Sequence, residues 1–248
     1  MQRALTLTRS TVGMKAVIAV TGLILFGFVI GHLAGNTLLF AGYEAFNGYA
    51  ASLKGNPALL WGVRSVLLVS VVAHIALTMK LAGRNSSARP TAYKKARQDQ
   101  ITTYAARTMV ISGPLLFAYI LFHLAHFTVP GLDLGGEHDV VNVYGNVVRG
   151  FRVPWVAGIY IFANILLGLH LFHGAWSALQ SLGANHPKYN PLRKRLAIGF
   201  ALVVAGGNIF IPVAVMTRVV GNDEQLAASD MHPLGAPEPQ DPPLPAAD

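Results

Sequence analysis

Five stretches of this chain run with little or no charge: Ala16 to Tyr43, Leu59 to Met79 (interrupted only by Arg64), Thr108 to Leu132, Val153 to Leu182, and Leu196 to Thr217. A bilayer core about 30 Å thick is crossed by a helix of about 20 apolar residues, because lipid offers the backbone no partner and a helix satisfies its own polar groups. The spacing predicts an all-α integral membrane protein. One five-helix domain covers 1–220, with helices near 15–42, 59–82, 104–130, 154–182 and 195–219. Charged residues make up 12% of the chain, about half the share of a soluble domain, which argues against a water-soluble enzyme. Gly27, Gly31 and Gly35 recur at four-residue spacing in the first span and let a helix or a flat cofactor come close.

The first span, preceded by Arg3, Arg9 and Lys15, is too long for a signal peptide and lacks a small-x-small cleavage site, so it reads as an anchor that stays. With the N-terminus inside, the inner segments hold 14 of the 19 Lys and Arg. The outer side keeps Lys54, Arg64, Arg149, Arg152 and Arg218. That asymmetry predicts a cytoplasmic N-terminus and an external C-terminus. It also accounts for the net charge of +8 without nucleic acid. The segment 221–248, with six acidic residues and six of the fourteen prolines, is expected to be a disordered tail.

Six of the nine histidines fall inside the spans: His32, His74, His123, His126, His170 and His173. Ionisable side chains at membrane depth are costly and are functional candidates, though any one of them can be a histidine bonded within the bundle. The first four spans each carry at least one, the fifth none, and no span interior holds a carboxylate. Neutral imidazoles without carboxylates suit bis-histidine haem; a proton-coupled carrier would place Asp or Glu there. At about 1.5 Å per residue, His32 and His123 lie about 25 and 28 Å from the inner face, and His74 and His170 about 8 Å from it. Two level pairs result, His32 with His123 outside and His74 with His170 inside. His126 and His173, one turn further along, are rival ligands at about 33 Å and 3 Å. A bond to a haem propionate, a place in a quinone pocket and a plain interfacial position are all open to them.

The motifs Gly31-His32-Leu33-Ala34-Gly35-Asn36, Glu44-Ala45-Phe46-Asn47, Phe122-His123-Leu124 and Gly174-Ala175-Trp176-Ser177, together with His74, Arg107 and His170, resemble a known family. It is the cytochrome b membrane anchor of succinate dehydrogenase and fumarate reductase, in the class with one anchor chain and two b haems. The resemblance spans Arg9 to Val220. It implies one axial histidine from each of the first four helices, paired as the depths pair them. It further implies a flavoprotein subunit, an iron-sulfur subunit that feeds the inner haem, and membrane quinone (menaquinone or ubiquinone) as substrate, in a bacterial cytoplasmic membrane.

The chain has no cysteine, so iron-sulfur clusters would belong to a partner. Where part of the family carries a glutamate two positions before the fourth ligand, this chain has Gly168. Glu44, just past the first helix, is a candidate proton group for an outer quinone, beside the plainer reading of a solvated loop carboxylate. Arg64 and Arg107, at the mouths of the second and third spans, are candidate propionate partners or snorkelling cations. The inner loop from Lys80 to Arg97 is a candidate contact for the iron-sulfur subunit or only a topology signal. Trp61, Trp155 and Trp176 fit an interfacial belt. Anchors of hydrogenase or formate dehydrogenase type use the same chemistry, and a haem-free transporter is the alternative from another class.

Overall fold

The computed structural model describes residues 9–88, 104–128, 134, 136, 138–184 and 186–234, with 104–108 and 110 by backbone alone. Among the described residues 84% are helical and no strand occurs. The helices are α1 (Thr11–Asn36), α2 (Tyr43–Lys54), α3 (Pro57–Ser87), α4 (Tyr104–Phe127), α5 (Val143–Phe151), α6 (Pro154–Ser181), α7 (Asn190–Met216) and α8 (Asp223–Met231). Among the described residues four segments are long and apolar enough to cross a membrane: α1 with its following 3-10 turn, α3, α6 and α7. The apolar stretch of α4 runs over Ile111–Phe127.

Local chemistry sets the ends. Ser10 caps α1 by accepting from the Gly13 N–H, and Asn56 caps α3 by accepting from the Leu59 N–H, with Pro57 beginning that helix. α1 stops at Asn36, short of the expected 42. The Thr37 hydroxyl donates to the Ala34 carbonyl, the chain tightens into a 3-10 turn over Thr37–Ala41, and Gly42 at φ +101° turns it into α2. α7 begins at Asn190, before the expected 195, because Pro191 is favourable in a first turn. The basic run Arg193-Lys194-Arg195 interrupts the apolar pattern there but not the helix.

α6 is the hub of the bundle, packing on α7, α4 and α1, while α1 packs on α3. Around the bundle the order is α3, α1, α6, α4, with α7 against α1 and α6. Gly168 makes the α6–α7 contact possible: a Cβ there would stand 2.9 Å from the Ala205 Cβ. That position therefore has no room for a glutamate. Outward faces carry large apolar side chains; Leu68 and Val69 on α3 and Leu202 and Val203 on α7 are 64 to 68% exposed. Lipid tolerates such a surface, whereas water would drive it together.

The best-packed core lies at one end of the bundle. There α2, α5 and α8 form a cap over the long helices, with Leu39, Tyr144, Val148, Val156 and Val215 fully buried. A polar network ties the cap together. Asn47 donates to Asn142 Oδ1 (3.2 Å) and to the Pro233 carbonyl (2.7 Å), and its own Oδ1 accepts from the Tyr144 N–H (2.8 Å). Asn142 Nδ2 donates to Asp230 (2.8 Å) and Ser229 (3.2 Å), and Arg149 pairs with Asp230 at 2.8 Å.

The tail, expected to be disordered from 221, therefore begins with a docked helix. Asn222 and Gln225 form a capping box at the start of α8, and Asp223 sits in the first turn beside Arg152 and Arg218. The proline-rich remainder from 235 lies outside the described residues.

Candidate functional site

His74 on α3 is held against α1. Its Nδ1 lies 3.2 Å from the Ile18 carbonyl and 3.3 Å from the Thr21 hydroxyl. That hydroxyl donates to the Val17 carbonyl at 2.8 Å, so both neighbours of Nδ1 are acceptors. A carbonyl can only accept, so Nδ1 carries the ring proton and Nε2 keeps a free lone pair. This is the tautomer and orientation of a metal-ligating imidazole braced by a backbone carbonyl. His170 on α6 lies opposite, with ring centroids 6.4 Å apart. Its Nδ1 is buried without a hydrogen-bond partner among the described residues.

The second pair lies toward the cap. His32 on α1 and His123 on α4 have ring centroids 5.7 Å apart at an interplanar angle of 85°, and Phe28 stacks on the His32 ring. The hydroxyl of Tyr160 on α6 is 3.2 Å from His123 Nδ1 and 3.0 Å from His126 Nδ1. His126 is 5% exposed, and a Cβ at Gly150 of α5 would stand 2.7 Å from its Nε2. His126 thus bonds to Tyr160 and to the Leu134 backbone and lies against the cap helix. His173 has its Nε2 3.1 Å from the hydroxyl of Ser177 one turn on, so it too is engaged within its own helix.

The two pairs occupy two levels. Thr21, bonded to His74, precedes His32 on α1 by eleven residues, or about 16 Å of helix. Tyr160, bonded to His123, precedes His170 on α6 by ten, or about 15 Å. Two separate helices give the same spacing.

Each pair also joins diagonal helices, α1 with α4 and α3 with α6, and neither diagonal is among the closely packed helix pairs of the described residues. Gly27 and Gly31 lie on the exposed face of α1, where a Cβ at either would meet no atom within 4 Å.

A flat macrocycle ligated from both faces fits these features. A bond from a metal to an imidazole nitrogen is about 2 Å, so two of them with their half-rings set centroids about 6 Å apart, close to both observed values. Such a group would lie between helices that are not closely packed on each other. A chelated ion fits less well, since no three His, Cys, Asp or Glu side chains gather as a ligand group among the described residues.

Of the other predicted residues, Arg64 is exposed on the first turns of α3 with its guanidinium 5.1 Å over the Trp61 ring, the snorkelling arrangement. The Arg107 side chain and residues 89–97 of the Lys80–Arg97 loop lie outside the described residues. Glu44 is exposed in the first turn of α2, where a carboxylate favours the helix start. Trp176 is braced by Arg193, whose guanidinium lies 4.7 Å from the ring centre and donates to the Trp176 carbonyl at 3.1 Å.

Thr21, Tyr160 and Arg193 were not marked out by sequence. For Tyr160 a signal existed: six residues into α6 it lies within about 5 Å of the depth of His123. Comparison with protein families, with curated proteins and with solved structures gives no match.

Proposed function

We propose that the chain is a dihaem cytochrome b that anchors a succinate:quinone oxidoreductase and carries electrons between an iron-sulfur subunit and membrane quinone. The observation that carries this reading is the meeting of four histidines from four helices as two diagonal pairs on two levels. In this reading α4 is the fifth span, the N-terminus is cytoplasmic, the cap faces outward across a bacterial cytoplasmic membrane, and the complex also contains a flavoprotein.

His74 and His170 hold the inner haem iron, and His32 and His123 the outer. A b haem with two imidazole ligands supplies a one-electron iron couple. The chain's own residues position it. The Ile18 carbonyl fixes the His74 ring, and the apolar helices exclude water. With no cysteine on the chain, clusters that exchange electrons with the inner haem belong to the partner.

The test is loss by pairs. His74→Leu and His170→Leu should each remove the same one of two haems, read in low-temperature reduced spectra, and His32→Leu and His123→Leu should each remove the other. Loss of one and the same haem in a His74 and a His32 variant contradicts the pairing. Co-purification of succinate dehydrogenase activity, rather than hydrogenase or formate dehydrogenase activity, selects among complexes with this chemistry.

A further inference from the structure

The two pairs are braced in different ways. His74 leans on the Ile18 carbonyl, an acceptor that cannot change. His123 leans on the Tyr160 hydroxyl, which is shared with His126. Tyr160 is 4% exposed and boxed edge-on by Tyr119, Phe127 and Phe151, at centroid distances of 5.2, 5.8 and 4.8 Å. The hydroxyl therefore has little freedom to seek other partners.

A phenol has one proton to donate between these two Nδ1 atoms. If it went to His123, the proton of that neutral ring would sit on Nε2 and block ligation there. If it goes to His126, His123 donates its own Nδ1 proton to the phenol oxygen and keeps the Nε2 lone pair. His126 in turn has a backbone hydrogen bond at Leu134, and its Nε2 side rests on Gly150 of the cap.

We infer that Tyr160 and His126 form a hydrogen-bond relay that holds His123 in its ligating tautomer and links the outer iron ligand to the cap helix α5. Both are positioning residues, and the inference rests on the dihaem reading. A donor hydrogen bond at Nδ1 makes an imidazole the more basic ligand, which favours ferric iron. Losing the bond should raise the midpoint potential of the outer haem and leave the inner one as an internal control.

The experiment is a redox titration with EPR of the low-spin ferric signals on the full chain in its complex, for wild type, Tyr160→Phe, His126→Leu and His126→Gln. Tyr160→Phe keeps the packing and should shift the outer potential upward and move the outer EPR signal, with the inner haem unchanged. His126→Leu leaves the phenol proton without its acceptor and should lower outer-haem occupancy. His126→Gln, which restores an acceptor oxygen, should return occupancy toward wild type.

Two haems in the wild type with an unmoved outer potential and EPR signal in Tyr160→Phe would overturn the relay. Should Tyr160→Phe lose both haems, the His126 variants decide, and equal effects of Leu and Gln would overturn it. Absence of haem from the wild type would instead overturn the dihaem reading itself.

Discussion

Replacing Asn142 by alanine should undock α8 from the cap. Asn142 is 1% exposed, and its side chain joins three segments. Oδ1 accepts from the Gly145 N–H at 2.9 Å and from Asn47 at 3.2 Å, while Nδ2 donates to Asp230 at 2.8 Å and Ser229 at 3.2 Å. Losing a helix cap costs about 1 kcal/mol, and losing a bond to a carboxylate about 1.5 to 3 kcal/mol. Two partners are compensated: Asn47 still donates to the Pro233 carbonyl, and Asp230 keeps Arg149. The buried Gly145 N–H has no such substitute. A local loss of about 3 kcal/mol follows.

About 2 kcal/mol of this bears on α8, since the cap belongs to α5, so at 1.4 kcal/mol per factor of ten α8 amides should exchange about 30-fold faster. Hydrogen-exchange mass spectrometry of the detergent-solubilised chain reads this helix by helix, with α6 and α7 as controls. Asn142→Asp keeps the cap oxygen but loses both donor bonds, so it should loosen α8 while sparing the start of α5. Exchange in α8 within about threefold of wild type in Asn142→Ala would refute the claim that this network holds the tail.

Backbone N–H groups of Asn142 and Val141 donate to the Asp139 carboxylate and hold its carboxyl below the usual carboxylate range. The stabilisation this gives the start of α5 is fully present above the unfolded carboxylate value and is lost as pH falls through the lowered folded one. Measured against the intrinsic amide rate at each pH, protection in α5 should fall on acidification, less so in Asp139→Asn, and an equal fall in the two would contradict the assignment. Gly168→Leu should push α6 from α7 and destabilise the bundle by several kcal/mol, since overpacking alone costs about 1 to 3 kcal/mol and the Cβ already stands 2.9 Å from the Ala205 Cβ. Ala205→Gly should recover part of that loss in thermal melts; no recovery would place the strain elsewhere.

The long helices and the histidine pairs were legible because both follow from one-dimensional rules: charge-free length for a span, and rise per residue for depth. The pairs His32–His123 and His74–His170, set by depth alone, have ring centroids 5.7 and 6.4 Å apart in the structure. The cap was not legible. α5 and α8 are nine residues each, too short for their own periodicity to declare them. They stand on contacts such as Asn47 to Asn142 and Asn142 to Ser229, 95 and 87 positions apart. Tail composition misled because acid and proline content describe the average of 221–248, while the capping box that begins α8 needs only Asn222 and Gln225. Tyr160 was passed over because a tyrosine in an apolar run looks like core or belt until its hydroxyl is seen between two histidines. His123 and His126, which depth arithmetic separated by a single turn, both bond to the Tyr160 hydroxyl, and His126 also lies against Gly150.

The most direct test of the central claim is a dithionite-reduced minus oxidised spectrum of the purified chain, taken with a haem-to-protein count. Two b haems per chain are predicted from the two histidine pairs. A chain that folds, keeps its helix content and holds no haem would contradict the account.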